Sequence, residues 1–365
     1  MRLGISAAEM EGEATGVGRF VSGLLDGLAE TDFDHELKLF FQGAPFDHPL
    51  WADPRFEPRF SGRSGSPARW EQRLLPRQLE GLDLFFGPAY SLPPRLPCPG
   101  VVMIHDLSFE VLPEEFRFRE RWRRRWLARR AAKRAARVLT VGHHVAKDLE
   151  IRYGVDPGRL GVIHHGVDGD RFRPEAATAA GEHAQSDPYL LYVGALLPRR
   201  HPALMLDAYA AVARRRPDLR FVLVGPDRLA PGTMDRLVAE RGLGERVLRP
   251  GWIGDDDLPS LLAGAEASLY LSSYEGFGIP PLESLACGTL PVVSTGLALD
   301  ELWPDYPFRC LPLDEHEVVR HLETVLTASP ETEAAVAAGR ALVRDLTWRR
   351  CAEAFLEQIA AVEAG

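Results

Sequence analysis

The sequence predicts an α/β protein made of two doubly wound parallel-sheet domains, and three observations predict it. At 365 residues the chain is too long for one ordinary core. Short apolar runs alternate with amphipathic helical stretches almost throughout, in two successive series. Between the series, 169–188 is a stretch of small and polar residues that suits a boundary.

In the first series the apolar runs are Leu3–Ala7, Leu37–Phe41, Leu82–Phe86, Val101–His105, Val138–Val141 and Leu160–Ile163. In the second they are Tyr189–Val193, Arg220–Val224, Arg246–Leu248, Ala267–Leu271 and Leu290–Val293. Helical patterns such as Val17–Glu30, His143–Tyr153, Ala203–Arg216 and Asp256–Gly264 separate them. Strands alternating with helices of this size mean parallel βαβ units. The region Gln42–Ala68, with five prolines, reads as one long irregular loop. Ligands of such sheets bind beyond the carboxyl ends of the strands, so two facing domains would hold one in the cleft between them.

No run of 18 apolar residues is present, so no membrane-spanning helix is expected. The opening Met-Arg-Leu-Gly-Ile-Ser-Ala-Ala-Glu-Met reaches an acid too early for a signal peptide and reads as a first strand. Cys98, Cys287, Cys310 and Cys351 are scattered, which points to free thiols in a reducing cytoplasm. The net charge is −9, yet residues 117–137 carry eleven Lys/Arg and a single acid, Glu120. An acidic chain with one basic element is not patterned for nucleic acid. Within that element Phe118, Trp122 and Trp126 recur every four residues and make one helical stripe. The preferred reading is a domain helix whose aromatic stripe is core. The alternative is an interfacial helix touching an anionic membrane, peripheral at its inner face.

The chemistry concentrates in Glu275-Gly-Phe-Gly-Ile-Pro-Pro-Leu-Glu283, which follows a strand-like run. Gly276 and Gly278 let backbone approach a ligand, and Phe277 lies between them. Pro280–Pro281 pre-set a helix, so the Gly278 and Ile279 amides open onto its positive end, where phosphate oxygens bind. Glu275 and Glu283 suit sugar and ribose hydroxyls. A buried loop with a capping carboxylate fits the same local pattern.

Tyr274–Ser294 resembles the Glu-x7-Glu signature of family 4 retaining glycosyltransferases (glycosyltransferase group 1), mannosyltransferases among them. That resemblance implies the GT-B fold, two Rossmann-like domains with an interdomain cleft. It also implies hexosyl transfer from a nucleotide-diphosphate sugar, and resemblance of the His105-Asp-Leu107 turn to that of mannosyltransferases favours GDP-mannose over UDP-glucose or UDP-N-acetylglucosamine. The acceptor would be a glycan, glycolipid or lipid-linked chain, as in polysaccharide biosynthesis. Residues 1–180 would bind acceptor, 181–346 donor, and a helix over 347–365 would return to the first domain. By the same resemblance Glu275 faces the donor sugar and Glu283 the ribose. In Tyr189–His201, Arg200 takes the place of a lysine that contacts the diphosphate, with Arg199 beside it. Ala195 stands where some members carry a further arginine.

Val101-Val-Met-Ile-His-Asp-Leu-Ser108 resembles the His-Asp-Leu turn of mannosyl- and related transferases, which makes His105 a site residue and Asp106 an acceptor or phosphate contact, or else the group that orients His105 or the turn. Ala14-Thr-Gly-Val-Gly-Arg-Phe20 resembles the family's Gly-x-Gly-Arg-Tyr loop, so Gly16, Gly18 and Arg19 become phosphate or acceptor contacts. It lacks the third glycine of a dinucleotide fingerprint. Val162–Pro174 looks like the interdomain crossover. No metal motif stands out, and the resemblance implies metal-independent transfer with no cofactor. A sugar-nucleotide epimerase or phosphorylase shares the architecture, and a catalytically silent binding subunit would share the sequence pattern.

Overall fold

The computed structural model describes all residues except 13–14, 63–64, 179–186, 255, 311–313 and 364–365, and leaves out the side chains of 177–178. The chain forms two compact units, Met1–Gly166 with Leu346–Gly365, and Val167–Asp345. The boundary expected after residue 180 lies outside the described residues.

The first unit carries strands β1 (Arg2–Ser6), β2 (Glu36–Phe41), β3 (Phe56–Phe60), β4 (Leu84–Gly87), β5 (Gly100–Met103), β6 (Arg137–Thr140) and β7 (Leu160–Val162). They form one sheet in the order β3-β2-β1-β4-β5-β6-β7, every pair parallel. The order reverses between β1 and β4, which are hydrogen-bonded neighbours. A doubly wound sheet opens its ligand crevice at that switch point. The central strands are buried on both faces, as near-continuous runs such as Val101–Met103 require.

Two expectations are corrected here. Gln42–Ala68 is not one loop, because β3 sits inside it as an edge strand. Pro58 is tolerable there, since an edge strand leaves one side of its backbone unpaired. The aromatic stripe of the basic helix is not core either. In Phe118–Arg134 the buried residues are Ala128, Ala131 and Ala132. Phe118, Trp122 and Trp126 are 80%, 61% and 47% exposed. Small alanines seat the helix on the domain and turn the rings outward.

The carboxyl-terminal helix Trp348–Glu363 packs along Gly16–Ala29. Its Phe355 and Ile359 are buried. A Cβ at Gly23 would run into the Trp348 ring and one at Gly27 into its backbone carbonyl, so the two glycines admit this close approach.

The second unit repeats the plan with β8 (Tyr189–Val193), β9 (Arg220–Val224), β10 (Val247–Gly251), β11 (Ala267–Tyr270), β12 (Pro291–Ser294) and β13 (Arg309–Cys310). Their order is β10-β9-β8-β11-β12-β13, again all parallel, with the reversal between β8 and β11. Two-residue β13 is too short to leave a periodic signal in sequence.

Candidate active site

The loops that follow β8 and β11 meet at the switch point of the second unit. After β8 the chain passes Gly194, whose φ of 143° is reserved for glycine and whose missing side chain leaves room for the Arg200 guanidinium. A single turn, Pro198–Arg200, then returns the two arginines beside the strand end. After β11, the backbone N–H of Ser273 donates to the Arg199 carbonyl at 2.8 Å, which ties the loops together.

Arg200 and Glu275 form a buried two-pronged ion pair. Arg200 Nε donates to Glu275 Oε1 at 2.9 Å and Nη2 donates to Oε2 at 3.2 Å. Both residues are only 9% exposed. Such a pair holds position as well as charge, because the planar fork and the carboxylate share one geometry. Ser272 Oγ donates to Glu275 Oε1 at 2.8 Å, and Arg199 Nε stands 3.6 Å from the same oxygen. The Arg200 guanidinium lies over the Tyr270 ring at 4.7 Å and reaches the Tyr192 hydroxyl at 3.3 Å. Burial alone would lower the Arg200 pKa, but Glu275 and the tyrosines outweigh it and hold the group well above its ordinary value. Below the pair, Ser294 Oγ accepts from Ser272 N–H at 2.9 Å and donates to Ser272 O at 2.7 Å.

The loop then runs through buried Gly276 and Phe277 to Gly278, which caps the helix Ile279–Ala286 with φ 83°. An L-residue there would be strained. Ala298 N–H donates to the Phe277 carbonyl at 3.0 Å and anchors the turn. Gly278 and Ile279 therefore stand at the start of a helix, where its dipole is positive. Glu283 is buried on this helix.

In the first unit, His105 follows β5 and is buried against Phe20, Tyr90 and His165, with ring centroids 5.0, 5.7 and 5.5 Å away. Its Nε2–H donates to the Pro88 carbonyl at 2.8 Å. Burial brings its pKa down to about 4, although the Pro88 carbonyl and Asp106 pull the other way. The ring is thus neutral at pH 7 with its lone pair on Nδ1. Asp106 orients the turn, accepting from the Tyr90 hydroxyl at 2.8 Å and the Ser108 amide at 2.7 Å. Gly18 packs so closely on the Glu9 carbonyl that a Cβ would collide with it, and its amide donates to Thr15 Oγ1 at 3.0 Å. Gly16 meets no such crowding, and Arg19 is half-buried on the first helical turn.

Within the second unit the fold brings Arg199, Arg200 and Glu275 into one cluster, with Glu283 on the helix that follows. Within the first it brings His105, Asp106 and the Gly16–Arg19 turn to the strand ends. Sequence reasoning missed Tyr192, Tyr270 and Ser272. Strand alternation was the available signal for the last two, because residues 270 and 272 share a face.

The two buried histidines make stability pH-dependent. Burial lowers His165 as well as His105, with the neighbouring His105 adding to the effect. Below pH 6.5 the unfolded chain binds protons that the fold refuses. Their stabilisation is therefore complete above about pH 6.5 and is lost as pH falls toward about 4. We expect the thermal midpoint of the wild type to drop between pH 7 and 5. His105→Gln/His165→Gln should drop less, and an equal drop in both would contradict this.

Two Rossmann-like domains with these strand orders make up the GT-B fold, which the similar solved structures share. Residues 14–171 match the family described as Glycosyltransferase Family 4, and residues 175–341 match Glycosyl transferases group 1. The O-antigen chain mannosyltransferase B of Escherichia coli is 27% identical over 367 residues, covering 92% of this chain and 93% of that protein. The MMP alpha-(1->4)-mannosyltransferase of Mycolicibacterium hassiacum is 32% identical over 166 residues, 45% of this chain and 38% of that one. Anabaena Alr3699/HepE, solved in complex with UDP-glucose, superposes with a TM-score of 0.74 at 17% identity, covering 99% of both chains. The chain belongs to the group 1/family 4 glycosyltransferases.

Proposed function

We propose that this enzyme moves a hexose, mannose first among candidates, from a nucleotide-diphosphate sugar to a glycan or lipid-linked acceptor, with retention and without a metal. The observation that carries the reading is the buried Arg200–Glu275 pair at the β8/β11 switch point. A donor diphosphate competes for Arg200 with Arg199 adjacent, and the Gly278–Ile279 amides take further phosphate oxygens. Glu275 is then released toward the hydroxyls of the donor sugar, and Glu283 accepts from the ribose. The positive charge needed by the leaving diphosphate comes from fixed guanidinium and amide groups, which stabilise it without reorganising. Neutral His105 offers Nδ1 to a sugar hydroxyl. No carboxylate is assigned as nucleophile.

Mannose is favoured because the relative aligned over nearly its whole length is named a mannosyltransferase. A thermal-shift panel tests the donor. GDP-mannose at 100 times its Kd should stabilise the protein by about 2.7 kcal/mol. A larger shift with UDP-glucose moves the assignment to that donor, and no shift with any nucleotide sugar contradicts the reading.

We also propose a cytoplasmic enzyme that touches the inner face of an anionic membrane through 117–137. Among the described residues no helix is long and apolar enough to cross one. Support comes from the exposed Phe118, Trp122 and Trp126 among arginines. Co-sedimentation with anionic liposomes should occur and should weaken with salt and with Trp122→Ala/Trp126→Ala. No binding at low salt would end this reading.

A further inference from the structure

His201 stands in the left-handed region, with φ 49° and ψ 52°. Among the described residues, it and Tyr90 are the two non-glycine residues with positive φ. Left-handed backbone is costly for an L-residue, and Pro202 at the next position pushes His201 toward extended backbone instead. Such a conformation persists only where its surroundings impose it. The backbone reason is visible on both sides. His201 N–H donates to the Pro198 carbonyl at 3.0 Å and closes the single turn that carries Arg199 and Arg200. Its carbonyl accepts from Met205 N–H at 3.0 Å and opens the helix Pro202–Ala213. Glycine would meet both demands without strain. The turn therefore accounts for the conformation and not for the imidazole.

The side chain has a task of its own. It does not cap the helix that it precedes. Its Nε2 shares a hydrogen bond with Ser273 Oγ at 2.7 Å, across to the loop that follows β11. Ser273 N–H already donates to the Arg199 carbonyl at 2.8 Å. One residue of the β11 loop is thus fastened to the β8 loop twice, on the residue before Arg200 and on the residue after it. Next to Ser273, the Ser272 hydroxyl holds Glu275 Oε1 at 2.8 Å. The two fastenings flank the fork whose prongs meet Glu275 at 2.9 and 3.2 Å. A two-pronged bond needs both partners in one plane, so a small turn of either loop weakens it.

We propose that His201 is a positioning residue, whose imidazole holds Ser273 and thereby sets the angle at which Arg200 and Glu275 face a donor diphosphate and sugar. The inference rests on the donor reading for what the pair meets, but its effect on the pair is separable from that reading.

Three variants separate the imidazole from the backbone. Ser273→Ala removes the side-chain fastening at an exposed position and keeps the amide bond to Arg199. His201→Gly removes it and relieves the backbone. His201→Gln keeps the left-handed strain and a hydrogen-bonding group in place of Nε2. Arginine side-chain NMR of the full chain reads the pair with no donor present, the Arg200 Nε–H signal being assigned by its absence in Arg200→Lys. Solvent exchange of that proton should be about tenfold faster in Ser273→Ala and His201→Gly, the scale of one lost hydrogen bond, and near wild type in His201→Gln. Thermal stability should rank the other way, with His201→Gly at or above His201→Gln. The Kd for GDP-mannose or UDP-glucose, whichever the wild type binds, should rise about tenfold in Ser273→Ala and His201→Gly and recover in His201→Gln. The proposal is overturned if the proton exchanges alike in all four proteins, if His201→Gln matches His201→Gly, or if faster exchange only follows a lower melting point. It is also overturned if the pair loosens while nucleotide-sugar affinity stays at the wild-type value. A wild type that binds neither nucleotide sugar, with exchange ranked as stated, would leave the clamp standing and sink the donor reading instead.

Discussion

Arg200→Ala is expected to destabilise the second unit by about 3–5 kcal/mol, toward the lower figure because Arg199 can partly compensate. The substitution strands the Glu275 carboxylate in a buried site with Ser272 Oγ at 2.8 Å and Arg199 Nε at 3.6 Å as its remaining neighbours in that cluster. It also removes the cation over Tyr270. A melting-point loss of roughly 10 °C follows for a domain of this size. Arg200→Lys separates charge from shape. It restores a cation to meet the donor diphosphate but cannot make the two-pronged bond or lie flat on the ring. Lysine should therefore recover most of the nucleotide-sugar thermal shift while recovering only part of the stability. Equal recovery of both would mean that the fork geometry contributes nothing.

Glu275→Gln is expected to cost stability as Arg200→Ala does, and to cost transfer well beyond what lost stability explains. The amide oxygen still accepts from Ser272 and from Arg200 Nε, but the amide NH2 then faces Arg200 Nη2 and the buried guanidinium loses its counter-charge, so a stability cost of about 3 kcal/mol accompanies the change. What disappears, on the proposed function, is the negative charge set against the sugar as positive character develops at its anomeric carbon. By comparison with the removal of one preorganised electrostatic partner elsewhere, kcat should fall about 10²–10³-fold. KM for the donor should change much less, because the lost interaction strengthens mainly in the transition state. A folded Glu275→Gln protein with undiminished transfer refutes the role assigned to this carboxylate.

The two-domain plan was legible because parallel strands buried on both faces leave unbroken apolar runs, which Leu37–Phe41 and Tyr189–Val193 display. β3 was hidden by Pro58 and by the proline-rich chain around it, since edge strands tolerate residues that central ones do not. The Glu275–Glu283 loop could be found because its glycines, prolines and carboxylates are local in sequence. Its bond to Arg200 could not, since 75 positions separate the partners and only the sheet order brings β8 beside β11. The stripe of Phe118, Trp122 and Trp126 shows a different limit. Periodicity reports that residues share a face, and Ala128, Ala131 and Ala132 decided which face was inward.

The central claim is that the second unit grips a nucleotide sugar and gives up its hexose. Its most direct measurement is release of nucleoside diphosphate from a panel of nucleotide sugars, with GDP-mannose first, in the presence of a glycan acceptor. We predict diphosphate release matched one for one by glycosylated acceptor, and loss of both in the Glu275→Gln protein. Diphosphate released by no member of the panel, from folded wild-type protein supplied with glycan acceptors, would contradict the account.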